Sequence, residues 1–244
     1  MIMKKKIWLA VLFLLSAACL CRTPSFLTPG PKVINHPAPA LTVDTLPFQN
    51  AGCGVSPDYP PCEATSPLGE LGCMTIRDTG PLLGGLSPAY PLVYCLSRYQ
   101  RGKNDQDPAL FHRACLAGQN YRLALYKDGQ FQLVNDLAEL QAAFAPIETT
   151  DEALSYALAT TGLDPLFGYQ RNSTFRFLTQ QIEDTNVTPT GNGYLVHLFD
   201  GYLCGCGPHT FYSVDVTVTR DGQIEVGKRQ PVSEDPKMDG LCID

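Results

Sequence analysis

Apolar and polar positions repeat with two different periods along this chain, and the periods divide it into elements. Across Thr210–Arg220, Tyr212, Val214, Val216 and Val218 alternate with Ser213, Asp215, Thr217 and Thr219, as a strand with one buried and one wet face requires. Tyr194–Asp200 predicts another strand. Asp221-Gly222 then turns the chain into Gln223–Lys228, with Ile224 and Val226 inward. Phe175 and Phe177 begin a strand running to about Glu183.

Upstream the period is helical. Ala153, Leu154, Ala157, Leu158 and Thr161 form an apolar stripe opened by the capping box Thr149-Thr150-Asp151-Glu152 and closed by Gly162. Asp136 and Glu139 cap a shorter helix that turns Leu137, Leu140 and Phe144 inward and stops before Pro146. Tyr121–Tyr126 and Phe131–Val134 flank Lys127-Asp128-Gly129-Gln130, a hairpin signal because Asp-Gly accepts the positive φ of a tight turn. Asp107-Pro108 and Gly118 frame a further helix with Leu110, Phe111, Ala114 and Cys115 on one face. The fold class that follows is α+β, an antiparallel β-sheet meander packed on one or two helices.

The amino-terminal third carries neither period. Between Arg22 and Pro91 lie 13 prolines and 8 glycines in 70 residues, a composition that cannot bury enough surface to offset its ordering entropy. Residues 19–50 are therefore expected as a Pro-rich flexible tether, and 51–244 as one disulfide-stabilised domain, with 53–118 Cys-rich and irregular and 119–244 holding the hairpin, helices and sheet. Residues 1–18 read as a signal peptide: Lys4-Lys5-Lys6 precede an apolar run, Ile7–Ala18, too short to span a bilayer core that needs about 20 residues.

Leu15-Ser16-Ala17-Ala18-Cys19 resembles a bacterial lipobox, in which Cys19 would carry a thioether lipid; Ser16 stands where a large aliphatic residue is usual, so a plain cut after Ala18 stays open. The location expected is the cell envelope, with membrane contact only through that lipid, or the secreted space. Setting aside Cys19 and Cys21 leaves eight disulfide candidates: Cys53, Cys62, Cys73, Cys95, Cys115, Cys204, Cys206 and Cys242. Their pairing stays open at this level.

Formal charge is −6, and loss of Lys4, Lys5 and Lys6 with the signal leaves −6 − 3 = −9. No basic stripe runs along the sequence, so nucleic-acid binding is not expected. No phosphate-cradling glycine loop, dinucleotide fingerprint or zinc-protease helix motif occurs, and no cofactor is expected.

Leu203-Cys204-Gly205-Cys206-Gly207-Pro208-His209 is the most unusual string. Cys204, Cys206 and His209 offer soft and borderline ligands for zinc or copper, with His112 and Cys115 as further donors. Export favours the other reading, two disulfides leaving in different directions, one of them to Cys242, with His209 bonded to turn carbonyls. A cysteine nucleophile beside His209 and Asp200 or Asp215 needs a free thiol, against which the even count argues.

His197 with Ser213 and Asp215 imitates a triad but lies on flat strands without oxyanion donors. Glu183, Asp184, Asp235 and Asp239 read as solvated loop acids. Asn172-Ser173-Thr174 and Asn186-Val187-Thr188 are glycosylation sequons, relevant only in a eukaryotic secretory pathway. The polar sheet face with Asp215, Thr217 and Thr219, and Tyr202 nearby, is the remaining surface for a partner.

Ala153–Gly162, followed by strands closing on Arg220-Asp221-Gly222-Gln223-Ile224-Glu225-Val226, resembles the cystatin or PepSY type of unit, in which a curled sheet wraps one helix. Phe144-Ala145-Pro146-Ile147-Glu148, Cys206-Gly207-Pro208-His209 and Gly240-Leu241-Cys242 resemble uncharacterised bacterial exported proteins and lipoproteins. Neither resemblance brings a catalytic residue. The function expected is a non-catalytic envelope lipoprotein or secreted interaction domain with an envelope protein or glycan partner. A metal or redox protein using Cys204, Cys206 and His209 is the alternative, and a secreted hydrolase the second.

Overall fold

A computed structural model describes residues 30–53, 61–100, 107–115 and 117–243. The signal peptide, Cys19 and the start of the tether lie outside the described residues. The chain runs β1 (Lys32–Ile34), a helical turn α1 (Pro67–Glu70), β2 (Thr75–Arg77), β3 (Leu92–Gln100), β4 (Phe111–Ala114), β5 (Ala117–Lys127) and β6 (Gln130–Val134). Two helices follow, α2 (Leu137–Phe144) and α3 (Thr150–Thr161). Nine short or long strands complete it: β7 (Arg176–Phe177), β8 (Gln181–Glu183), β9 (Asn186–Thr190), β10 (Gly193–Asp200), β11 (Gly205–Cys206), β12 (Thr210–Thr219), β13 (Ile224–Val226), β14 (Gln230–Glu234) and β15 (Cys242–Ile243).

The described residues are mostly antiparallel sheet with few helices and four disulfides. Two larger sheets form. The first has the order β2-β3-β5-β4 with β6 also on β5, and the second β7-β14-β12-β10-β9 with β13 also on β12. Capping-box bonds start α3 at Thr149 and Glu152, and Gly162 ends it at φ 63°, as the sequence pattern predicts. The Asp-Gly hairpin also forms, with φ 52° at Asp128 and 80° at Gly129.

Helix α3 organises the core. Every residue from Ala153 to Ala159 is buried, so the helix is covered on all sides rather than along one stripe. Val214, Val216 and Val218 of β12 and Tyr194, Val196 and Leu198 of β10 pack in the same cluster as Leu92, Leu123, Leu125 and Val134 of the first sheet. A 3-10 turn over Pro81–Gly85 closes a third side. There the backbones nearly touch: a Cβ on Gly85 would lie 2.4 Å from the Asp151 carbonyl oxygen. Gly85 N–H donates to Ser155 Oγ at 3.0 Å, and that hydroxyl donates to the Leu82 carbonyl.

Four expectations are corrected. Phe111–Ala114 is a strand, not part of a helix, because pairing with β5 recruits residues whose Asp-Pro and Gly flanks suit a turn as well as a cap. The stretch 53–118 is not irregular throughout, since β2, β3 and β4 lie within it. Residues 31–50 are no free tether. Lys32–Ile34 pairs in parallel with β8, Asp44 O accepts from Leu92 N–H at 3.2 Å, and Phe48 is fully buried against Phe131, ring centroids 5.2 Å apart. Phe48 sits in a second cluster with Leu68, Ile76, Val93 and Ala124, which covers the outer face of the first sheet. The strand expected over Phe175–Glu183 is broken into β7 and β8, which join different sheets.

Because Phe48 anchors that outer layer, Phe48→Ala is expected to destabilise the protein by about 3–5 kcal/mol, the range for an aromatic removed from a core. Urea unfolding checks this; a change within about 0.5 kcal/mol, typical of surface positions, would restore the tether reading.

Candidate functional site

The register of the first sheet gathers polar residues that are far apart in sequence. Cross-strand partners share a face. On the face that meets α3, one row is Arg77–Tyr94–Leu123–Val134 and the next Thr75–Leu96–Tyr121–Phe111. The third row is Arg98–Gln119–Arg113, contributed by β3, β5 and β4. Leu123 and Val134 pack with the helix, whereas the third row lies at its carboxyl end, where Arg113 bonds to Gly162 and Asp164 bridges to Phe199 of β10. Alternate residues of β3 and β5 therefore pass from core to cleft along the same face.

The cleft has a floor and a mouth. Its inner part, about 310 Å³, is lined by Leu82, Leu83, Tyr94, Phe111, Leu158 and Leu163, with Arg77, Arg113 and Asp164 at its edge. An open shelf of about 490 Å³ adjoins it through Arg77, Arg113 and Tyr121 and adds Arg98, Gln119 and Tyr202. Among the described residues that line the cleft and shelf, three carry guanidinium groups and one, Asp164, a carboxylate, in a chain whose formal charge is −6. Phe111 and Tyr121 stack at 4.6 Å, and Tyr94 meets both rings edge-on at 5.7 and 5.5 Å.

Each arginine is held. Arg113 donates Nε to the Gly162 carbonyl at 3.1 Å, donates Nη2 to the same oxygen, and pairs with Asp164 Oδ1 at 2.6 Å. A cation at the carboxyl end of α3 also suits the helix dipole. Burial works against the Arg113 charge, but the hydrogen bond and charge of Asp164 outweigh it and hold its pKa above the ordinary value. Arg77 Nη1 donates to the Tyr121 hydroxyl at 2.8 Å. Arg98 is exposed on the rim. Burial pushes the Tyr94 phenol well above its ordinary pKa, and the nearby Arg113 charge only partly offsets this.

Tyr202 reaches the cleft from the other sheet. It follows β10, is 45% exposed, and lies under the Arg113 guanidinium at 5.8 Å from ring centre to Cζ. The disulfide Cys115–Cys204 joins the end of β4 to this loop and so fixes Tyr202 beside the arginine row. Gly162 is equally constrained. Its Cβ would lie 2.4 Å from the Phe111 ring, so the turn that ends α3 also seats the aromatic floor.

The residues singled out from sequence go elsewhere. Cys204 pairs with Cys115 and Cys206 with Cys242, so the sulfur atoms proposed as metal ligands are both in disulfides. His209 Nε2 lies 3.2 Å from the Leu241 carbonyl oxygen, and His112 Nδ1 lies 2.6 Å from Asn120 Oδ1. Among the described residues no group of three His, Cys, Asp or Glu is placed to hold a metal. Cys53–Cys62 and Cys73–Cys95 complete the pairs, which use all eight candidates.

His197 Nδ1 does meet Asp215 Oδ1 at 2.6 Å, but Ser213 sits two ladder pairs further on, opposite Phe199. Asp184 is not a solvated acid. It is fully buried and accepts the Gly168 and Tyr169 N–H groups at 2.6 and 3.3 Å, fixing the loop before β8. Sequence reasoning missed Arg77, Arg98 and Arg113. The usable signal is the alternation Leu92-x-Tyr94-x-Leu96-x-Arg98 and Gln119-x-Tyr121-x-Leu123-x-Leu125, which ends in polar residues at one end of each strand.

Replacing Cys115 and Cys204 together by Ser is expected to cost about 3–4 kcal/mol, given the long loop the bond closes, and calorimetry under fixed redox conditions checks it. Alkaline titration gives a second outcome. The fold favours the neutral Tyr94 phenol, so its contribution to stability is complete below the ordinary value near 10 and is lost as pH rises above it. Tyr94→Phe should make stability above pH about 10 less steep in pH; an unchanged slope contradicts the burial of that hydroxyl. The chain matches no family model, no curated protein and no solved structure, so the cleft is read from its own geometry.

Proposed function

We propose that this protein is a non-catalytic binding domain that works outside the cytosol and takes an anionic group of an envelope component, protein or glycan, into the arginine-lined cleft. The observation that carries this reading is the row Arg98–Gln119–Arg113 with Arg77 beside it, a local cationic field in an acidic chain. Guanidinium groups bind oxyanions through paired N–H donors, and a partly enclosed site strengthens each contact relative to open water.

Four disulfides fit an extracytoplasmic protein, since thiols persist only in reducing compartments. Among the described residues no helix is long and apolar enough to cross a membrane. Residues 1–18 as an export signal and Cys19 as a lipid attachment point complete this reading.

Two measurements test it. Intact mass spectrometry of the native exported protein should show the eight paired cysteines without alkylation and an acyl mass on a chain beginning at Cys19; several alkylated thiols in the folded protein would return the metal or redox alternative. Soluble anionic envelope fragments should raise the Tm of the full protein, by mass action on the folded state alone, and Arg77→Gln with Arg98→Gln should abolish that rise. A rise that survives both substitutions places binding elsewhere, and conversion of the fragment to a product refutes the non-catalytic reading.

A further inference from the structure

The cleft is two-sided in its chemistry. Its inner part is apolar and aromatic, and its mouth carries guanidinium groups on two neighbouring rows of one sheet face. Arg98 and Arg113 flank Gln119 from strands on either side of β5. Their Cα atoms are therefore separated by two strand spacings, roughly 10 Å. All three side chains line the open shelf, so an oxyanion over Gln119 has a guanidinium group on either side while Arg113 keeps its bonds to Gly162 and Asp164.

We propose that the anionic group this cleft takes from its envelope partner is an apolar oxyanion, a carboxylate or phosphate ester head on a compact hydrocarbon or aryl body of about ten non-hydrogen atoms, at a share of about 30 Å³ for each water-sized group in the inner cavity. This rests on the reading of the cleft as the binding site. The head lies against the Arg98–Gln119–Arg113 row, and the body enters over Tyr94, Phe111 and Leu158 toward Leu163.

The arrangement favours one head over several charges. Asp164 already neutralises part of the Arg113 charge at 2.6 Å and stands at the edge of the inner cavity, where it repels a second anionic group. The body is selected by area. Each methylene taken from water into such a lining strengthens binding about fourfold, a gain that continues only while the cavity has room. Tyr202, under Arg113 and exposed at the mouth, covers the head once it is in place.

Titration calorimetry of the full exported protein with acetate, hexanoate, octanoate, dodecanoate, octyl phosphate, inorganic phosphate and octanol tests the proposal, with ring-proton shifts of Phe111 and Tyr121 reporting where each probe sits. Octanoate or octyl phosphate should bind at least tenfold more tightly than octanol, acetate and inorganic phosphate, and the stronger of the two identifies the head. Affinity should rise about fourfold per methylene from hexanoate to octanoate and level off by dodecanoate. Arg98→Gln, an exposed position, should lose about tenfold for the anions and nothing for octanol. Tyr202→Ala, also exposed, should speed release without unfolding the protein.

The outcomes separate the two readings. If acetate or inorganic phosphate binds as well as octanoate while shifting the Phe111 and Tyr121 rings, the cleft is a binding site but the apolar body is wrong. Octanol equal to octanoate shows the head to be wrong. If no anion shifts those rings and Arg98→Gln changes nothing, the cleft is not the binding site and both readings fall together.

Discussion

The arrangement of the whole molecule depends on a helix that is buried all round along its central two turns. An amphipathic helix needs a partner on one side only, whereas α3 has seven consecutive buried residues and needs cover on every side. Two sheets and the turn over Pro81–Gly85 supply it, and the close backbone approach at Gly85 shows how tightly the third side is shut. The cost of leaving any side open would fall on residues such as Leu154 and Leu158, each of which gains about 1.5–3 kcal/mol from full burial. The cleft is a by-product of the same requirement. At 1.5 Å per residue α3 spans about 18 Å, whereas β5 at 3.3 Å per residue spans about 36 Å, so whatever the crossing angle part of the sheet extends beyond the helix.

Sulfur chemistry sets the rest of the boundary. Cys53–Cys62 closes a loop within the proline-rich layer and Cys73–Cys95 ties that layer to β3, and Phe48 and Leu68 supply its small core against the outer face of the first sheet. Cys206–Cys242 ties the last strand pair, β11 with β15, to the carboxyl terminus. Cys115–Cys204 is different in kind, because it joins the two sheets at the cleft mouth. The Cys-Gly-Cys string is thus neither a ligand pair nor a redox motif; its two cysteines anchor the chain in two separate places.

Parts of this were legible in the sequence for clear physical reasons. The capping box at Thr149, the Asp128-Gly129 turn and the valine alternation of β12 each depend on local chemistry, and each forms as expected. What was hidden depends on pairing. Phe111–Ala114 has no strong local preference and becomes a strand only because β5 is beside it. Phe48 lies between prolines in a segment without periodicity, so its burial could not be inferred from its neighbours. Asp184 reads like any loop acid in sequence, because the backbone N–H groups that converge on it belong to Gly168 and Tyr169, 16 and 15 residues away. The arginines belong to three strands, and a register is needed before they form a group at all.

The bond between Cys115 and Cys204 has a topological effect as well as a local one. It joins residues 89 positions apart and encloses both longer helices and the loop from Leu163 to Phe175. A protease that cuts once in that loop would separate the backbone into two pieces, yet both would travel together on a non-reducing gel and part only on reduction. In a compartment rich in such enzymes, one nick therefore does not release the half that carries Tyr202 from the half that carries the arginines.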